Sequence, residues 1–136
     1  MITSTCAIYA RCATDIEWQN SIDNQIRICK QYAGSKGWQV RDEHIYRDIA
    51  ISGTSILRPD LNKLLYAASV EPAPFQHVIV ADTDRLARSL QVLHTIISLL
   101  QFTGIHVHFV REQIDYTAGN STSRQGKEMK GEKKKK

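Results

Sequence analysis

The most apolar strand candidate in the chain reads Phe75-Gln76-His77-Val78-Ile79-Val80-Ala81, and it leads into Asp82-Thr83-Asp84-Arg85-Leu86-Ala87-Arg88. Because it is the most apolar candidate, we expect this strand in the middle of a sheet that is covered on both faces. In an open α/β sheet, the segments that leave the carboxyl ends of the strands line the ligand crevice. The polar segment from Asp82 to Arg88 is therefore a candidate binding site.

A second pair of segments has the same form near the start of the chain. The apolar run Cys6-Ala7-Ile8 leads into Tyr9-Ala10-Arg11-Cys12-Ala13-Thr14-Asp15. If both strands are members of one parallel sheet, the segments that follow them face one site. That site would gather Arg11, Arg85 and Arg88, and such a group of guanidinium side chains predicts an anionic substrate.

The hydrophobic period alternates between short strands and amphipathic helices along the chain. Strands are predicted near residues 5–11, 38–46, 75–81 and 105–110, with a loop over residues 49–57. Three helices are predicted, one with Ser21 as its N-cap, one with Pro59 in its first turn and one that ends at Gly104. Their predicted core stripes are Ile22, Ile26, Cys29 and Ala33; Leu61, Leu64, Leu65 and Ala68; and Leu90, Leu93, Ile97 and Leu100. The pattern predicts an α/β fold with a mostly parallel central sheet of about four or five strands and helices on both faces.

The composition is that of an ordinary globular domain. The chain has 136 residues, of which 42% are hydrophobic, and this length suits one compact domain with a real core. No apolar run is long enough to span a bilayer, and the N-terminus lacks the pattern of a secretory signal. The three cysteines have no CxxC spacing, which favours reduced thiols and a cytoplasmic location.

The positive charge of the chain is concentrated at its end. Residues 123–136 contain seven Lys/Arg and two Glu, a net charge of +5, whereas residues 1–122 contain 11 Lys/Arg and 12 Asp/Glu, a net charge of −1. Affinity for a polyanion must therefore come from a local cluster or from the terminal residues, because the body of the domain has no general basic character.

Five blocks together resemble the catalytic domain of the serine recombinases, which are the resolvases, invertases and phage-type integrases. The blocks are Tyr9-x-Arg11-x-Ala13-Thr14, Ser21-Ile22-x-x-Gln25, Asp48 with Ser52-Gly53, Arg58-Pro59, and Asp84-Arg85-Leu86-x-Arg88. The resemblance covers roughly residues 5–115 and implies a three-layer, resolvase-like domain over residues 1–116. Residues 117–136 are then expected to form a flexible basic tail, where family members continue into a dimerisation helix and a DNA-binding region.

The resemblance also implies an activity, the cleavage and rejoining of double-stranded DNA through a 5′-phosphoserine intermediate, with no cofactor or metal. Family members act as dimers and tetramers, and the isolated domain is expected to be monomeric or weakly associated. The family's nucleophilic serine corresponds to Ala13, so the chain as written is predicted to be inactive. The alanine is compatible with an engineered replacement and with a naturally silent copy.

The resemblance assigns roles to further positions. Arg11, Arg85 and Arg88 would stabilise the phosphoryl oxygens in the transition state, and Arg58 would add a contact to the DNA phosphate. Asp48 and Asp84 would position the arginines or handle a proton, although each could equally cap a helix or pair with an arginine. Gln25 and Ser52 would form hydrogen bonds within the site. Tyr9 would pack near the phosphate or simply in the core.

Three alternatives compete with a cleaving enzyme. The chain could be a catalytically silent fragment that binds DNA or a recombinase. Asp82 and Asp84 could bind magnesium as in a Toprim-like nuclease, but the glutamate expected after the first strand of such a site is missing. His106 and His108 share one strand face and could bind zinc, although an exposed strand explains them better without further ligands nearby.

Overall fold

The structure is a computed structural model that describes residues 4–12, 18–49 and 58–117. Its strands are β1 (Thr5–Cys12), β2 (Gln39–Ile49), β3 (His77–Val80), β4 (His106–Phe109) and β5 (Ile114–Tyr116), and its helices are α1 (Trp18–Lys36), α2 (Pro59–Ser69), α3 (Thr83–Leu86) and α4 (Leu90–Phe102). The predicted site positions Ala13 and Ser52 and the expected tail beyond residue 117 lie outside the described residues.

The five strands form one sheet in the order β2-β1-β3-β4-β5. The first four are parallel neighbours, and β5 pairs antiparallel with β4. The prediction of an α/β fold with a mostly parallel sheet is confirmed, and β3 occupies the predicted middle position. Strand β5 was not predicted, because its three residues are partly or largely exposed and give no apolar signal.

Side chains alternate between the two faces of the sheet and bury two separate cores. On one face, Ile8 and Ile79 pack with Ile22 and Cys29 of α1. On the other face, the strand residues pack with α2 and α4, through a cluster that includes Tyr9, Val80, Leu64 and Ile97. Full burial of one such aliphatic side chain stabilises the fold by roughly 1.5–3 kcal/mol, so each helix is held mainly by its apolar stripe.

The helix stripes agree with the sequence analysis except at two helix starts. All four predicted core residues of α1 are buried, but Ser21 is not its N-cap, because the helix already begins at Trp18. Leu90, predicted in the stripe of α4, is 67% exposed at the first position of that helix, and Ile96 is buried instead. Gly37 (φ 76°) ends α1 in the left-handed conformation that favours glycine.

No helix within the described ranges is both long enough and apolar enough to cross a membrane.

A cluster of histidines joins β3, β4 and β5 at the end of the sheet where β3 and β4 begin. The Nδ1 atom of His108 lies 2.8 Å from Asp115 Oδ1, and its Nε2 atom lies 3.0 Å from His77 Nδ1. The ring of His77 stacks on Trp38 at 3.7 Å and lies 5.1 Å from the ring of His106. The expectation of an exposed strand is therefore wrong for His108, which is buried. Within the part of the chain that the structure describes, no group of three or more His, Cys, Asp or Glu side chains is arranged to hold a metal ion.

The histidine cluster predicts a loss of stability in acid. Burial, together with the neighbouring His108 and His106, lowers the pKa of His77 from 6.5 to about 4, and Asp115 only partly opposes this shift. The unfolded chain therefore takes up this proton at a higher pH than the native protein, so the free energy of unfolding declines as the pH falls from about 6.5 to about 4. With allowance for solvent screening at this partly exposed ring, protonation of His77 in the unfolded chain lowers the free energy of unfolding by about 1 kcal/mol at pH 5. Urea unfolding at pH 7 and pH 5 measures it.

A matched pair of variants isolates the histidine. His77→Gln should reduce the difference in stability between pH 7 and pH 5, whereas His94→Gln, at an exposed histidine of α4, should leave that difference as it is in the parent. An equal pH dependence in both variants would assign the acid sensitivity to other groups.

Candidate functional site

The carboxyl ends of β1 and β3 lie side by side, since Tyr9 pairs with Val80 in the parallel register. Arg11, two residues further along β1, is 1% exposed, and its guanidinium reaches the first turn after β3. Its Nε donates to the Arg85 carbonyl at 3.0 Å and its Nη2 to the Asp84 carbonyl at 2.6 Å. Arg85 Nη1 returns a hydrogen bond to the Arg11 carbonyl at 3.3 Å. These reciprocal bonds fix α3 against the end of β1.

Gln25 of α1 holds the same strand end from the opposite side. Its Oε1 accepts from the Arg11 N–H at 3.0 Å, and its Nε2 donates to the Arg11 carbonyl at 2.9 Å and to Ser21 Oγ at 3.2 Å. The buried carboxamide thus forms the two hydrogen bonds that a neighbouring strand would otherwise form, and it satisfies both backbone groups of Arg11. It fixes the backbone two residues before position 13.

Asp48, at the end of β2, caps α2 from another part of the fold. Tyr9 donates its hydroxyl proton to Asp48 Oδ2 at 2.7 Å. The backbone N–H groups of Asp60 and Leu61 donate to the same carboxylate at 3.0 and 3.1 Å. The N-cap residue of α2, Arg58, makes no capping bond with its own side chain, so Asp48 satisfies the first turn in its place. Burial and the adjacent carboxylate of Asp48 raise the pKa of Tyr9, which keeps its hydroxyl a donor.

Arg58 is buried beside this network with unused hydrogen-bonding capacity. Its side chain is 2% exposed, and its guanidinium carbon lies 5.9 Å from the centre of the Tyr9 ring. Among the residues that the structure describes, its Nη1 has no hydrogen-bond partner. A buried donor of this kind costs about 1–3 kcal/mol, and more for a charged group, which an anionic acceptor would offset.

The one-turn helix α3 and the segment that follows it present two more arginines, Arg85 within the helix and Arg88 after it. Asp82 is its N-cap and accepts from the Arg85 N–H at 3.1 Å. The same carboxylate lies 4.0 Å from Arg85 Nε and 3.9 Å from Arg111 Nε, and Asp84 lies 3.6 Å from Arg88 Nε. Both carboxylates are therefore paired with guanidinium groups, an arrangement that does not favour a magnesium pair. The side chains of Arg85 and Arg88 are 34% and 55% exposed, so both remain accessible to a ligand.

Three arginines lie close enough to Arg11 for their charges to act on it. The pKa of Arg11 is lowered first by burial and then by the positive charges of Arg58, Arg88 and Arg85, while Tyr9 acts in the opposite direction. The structure thus brings together the predicted residues Arg11, Arg58, Arg85, Arg88, Tyr9, Gln25 and Asp48, with Asp84 at the exposed rim. Sequence reasoning missed the capping role of Asp82, which its position three residues before Arg85 in a helix start could have indicated.

The chain is similar in sequence to known resolvases and recombinases. The family model "Resolvase, N terminal domain" matches residues 6–129. The transposon Tn21 resolvase of Escherichia coli is 34% identical over 82 residues, which are 60% of this chain and 41% of the relative. A putative DNA recombinase of Bacillus subtilis (strain 168) is 40% identical over 86 residues, 62% of this chain and 16% of the relative. The chain therefore spans less than half the length of these curated relatives.

Solved structures share the fold. The N-terminal catalytic domain of TP901-1 integrase superimposes with a TM-score of 0.73 at 32% identity and covers 82% of this chain and 81% of its own. The C-terminal catalytic domain of ISC1926 TnpA, an IS607-like serine recombinase, gives a TM-score of 0.68 at 27% identity, with 78% and 67% coverage. A resolvase-family site-specific recombinase from Streptococcus pneumoniae gives 0.71 at 23% identity, with 83% and 76% coverage, a likeness of fold alone.

The capping carboxylate predicts a large structural effect of one substitution. Asp48→Ala removes the shared acceptor of Tyr9 and of two N–H groups of α2, and we expect the free energy of unfolding to fall by about 2–3 kcal/mol. Thermal unfolding measures the loss. Asp42→Ala, at an exposed position of the same strand, is the control and should change stability by less than about 0.5 kcal/mol. Equal effects of the two substitutions would contradict the capping role.

Proposed function

The chain belongs to the family of resolvase-type catalytic domains of serine recombinases, and on this premise we propose that it is a domain built for DNA strand cleavage and rejoining in which Ala13 replaces the nucleophilic serine. The observation that carries the proposal is the placement of Arg85 and Arg88 beside Arg11 at the carboxyl ends of β1 and β3, with Arg58 nearby against the Tyr9 ring. Such a cluster suits a phosphodiester, whose attack by a hydroxyl concentrates negative charge on the phosphoryl oxygens.

The arginines differ in exposure, and this supports a direct contact with phosphate for some and a positioning role for others. Arg85 and Arg88 are accessible and would contact the phosphate directly. Arg11 is buried and bonded to the backbone of α3, so it would position these two and add charge behind them. Arg58 would donate its unpartnered Nη1 to the same or an adjacent phosphate. Guanidinium groups can supply this stabilisation without a metal ion.

The carboxylates would have different tasks. Asp48 is bonded to Tyr9 and the start of α2, so we assign it to positioning Arg58 rather than to proton transfer. Asp84 is 61% exposed beside Arg88 and is the better candidate to handle the proton of an attacking or leaving hydroxyl. Gln25 would hold the strand end before position 13, and Ser52 would bond within the site.

The second candidate function is binding without cleavage. Alanine at position 13 has no oxygen for a covalent bond to phosphorus, and this favours a silent domain that occupies DNA or a recombinase partner. In either case we propose double-stranded DNA as the ligand and assembly into dimers or tetramers in a longer protein. We also propose action in the cytoplasm, where the thiols of Cys6, Cys12 and Cys29 would stay reduced.

Restoring the hydroxyl tests the enzymatic proposal. Ala13→Ser, in a chain joined to a recombinase dimerisation helix and DNA-binding region, should form a covalent protein–DNA adduct with a free 3′ hydroxyl in the presence of a metal chelator. Denaturing gel electrophoresis with an end-labelled duplex detects the adduct. The parent with Ala13 in the same fusion is the matched control and should form none.

The arginines are tested in the same fusion. Adding Arg85→Ala or Arg88→Ala to Ala13→Ser should slow adduct formation by about 10²–10³, the usual effect of losing a preorganised transition-state contact. An adduct that requires magnesium, or that survives loss of both arginines, would instead support a metal site at Asp82 and Asp84.

Binding by the chain alone should be weak, largely independent of sequence and strongly dependent on salt. Residues 123–136 carry a net charge of +5, so deleting them should remove most of the salt dependence. Fluorescence anisotropy of a short duplex at several salt concentrations measures both. Tight, sequence-selective binding after the deletion would contradict the expectation that base readout lies elsewhere in the family's longer chains.

A further inference from the structure

A groove between α1 and the edge strand β2 gathers positive charge outside the arginine cluster. It is an open surface depression of about 490 Å³ and is lined by Asp23, Ile26, Arg27, Lys30, Gln31 and Arg47. Ile26 is a buried core residue, and the other five residues are exposed. The groove therefore has an apolar floor and a polar rim with three cations and one carboxylate.

The three cations are not neutralised by the parts of the protein that the structure describes. Arg27, Lys30 and Arg47 form no ion pair with any described residue, and Arg27 donates only to the neutral side chain of Asn24. By contrast, Lys63 pairs with Asp60 and Arg111 pairs with Asp82. Residues 1–122 have a net charge of −1, so a groove with three cations and one carboxylate differs in sign from the body of the domain. The groove favours an anionic ligand by charge complementarity.

The groove reaches the carboxyl end of β2, at the same end of the sheet as the proposed catalytic residues. Arg47 pairs with Ala10 and precedes Asp48, which pairs with Arg11. Consecutive side chains of a strand point to opposite faces, so Arg47 faces the α1 side while Asp48 faces Tyr9 and α2. The groove therefore lies on the α1 face of the sheet at the end of β2, and the arginine cluster lies on the opposite face at the ends of the neighbouring strand β1 and of β3.

We propose that this groove binds the sugar-phosphate backbone of DNA beside the phosphodiester held by the arginine cluster. The inference rests on the proposed function, because it assigns a second contact to the same ligand. One DNA strand carries a phosphate for roughly every 3.4 Å of helix axis, so a strand that reaches the cluster has further phosphates within range of an adjacent cationic groove. Arg27 and Lys30, one turn apart on α1, have Cβ atoms separated by roughly 5–6 Å and can contact neighbouring phosphates.

These contacts would add affinity without sequence selectivity. The three cations of the groove can bind phosphate in any sequence. An acidic protein segment is the other ligand that the charge would admit, but only DNA links the groove to the neighbouring cluster through one continuous polyanion. The test therefore compares both ligands.

The experiment measures duplex binding by the full chain as a function of salt. The groove variant Arg27→Gln/Lys30→Gln/Arg47→Gln removes three charges, and the matched control Lys36→Gln/Arg41→Gln/Lys63→Gln removes three charges elsewhere. Loss of three phosphate contacts should reduce the slope of log K against log salt by about 2–3, whereas the control should leave the slope close to that of the parent. Circular dichroism and thermal unfolding verify that each variant is folded.

The outcomes separate this inference from the proposed function. Equal slopes for the groove variant and the control overturn the inference, and so does a groove variant that loses affinity for an oligoglutamate peptide but not for DNA. An Arg85→Gln/Arg88→Gln variant measured in parallel tests the proposed function. If this variant weakens binding while the groove variant does not, the groove inference fails and the function stands. If the groove variant alone weakens binding, the groove contact stands and the arginine cluster loses its assignment.

Discussion

The hydrogen bonds between Arg11 and the backbone of Asp84 and Arg85 are the constraint on which the site depends. They join the end of β1 to the turn after β3, and Arg85 returns the contact to the Arg11 carbonyl. Gln25 holds the other side of the same residue. Arg11, which the sequence predicts as a ligand for phosphate, therefore also holds the backbone of the site in place. Without it, the four-residue helix α3 would be held mainly by the hydrogen bonds of Thr83 to Glu112 and by its own apolar contacts.

The fold was largely predictable because its signals are local. The stripe of Ile22, Ile26, Cys29 and Ala33 follows a helical period, and the apolar run of β3 marks a buried strand. The errors occur where tertiary contacts override local signals or where elements are very short. Ser21 has the chemistry of an N-cap, but it lies inside α1 and accepts a hydrogen bond from Gln25. Strand β5 and helix α3 have three and four residues, too few for a periodic pattern.

The residues of the site were predictable from the sequence, but the hydrogen-bond partner of each residue was not. Motif spacing indicated which residues would meet, whereas the partner of each depends on contacts between distant parts of the chain. Asp48 caps a helix that begins 11 residues later, and a sequence alone cannot distinguish this from a role in proton transfer. The burial of Arg58 with an unpartnered Nη1 is likewise a property of the packed structure. The positive charges around Arg11 and this unused donor together describe a site that an anion would stabilise.

The central claim is that Arg85 and Arg88 jointly bind a DNA phosphate, with Arg11 and Arg58 behind them. The most direct measurement is an NMR titration of the arginine Nε–Hε resonances with a short DNA duplex, using Arg→Lys substitutions to assign the signals. The account predicts that the resonances of Arg85 and Arg88 shift together with one dissociation constant and that Arg11 and Arg58 shift with them. Shifts confined to Arg111 and to the arginine of the terminal segment, Arg124, with no change at Arg85 and Arg88, would contradict it.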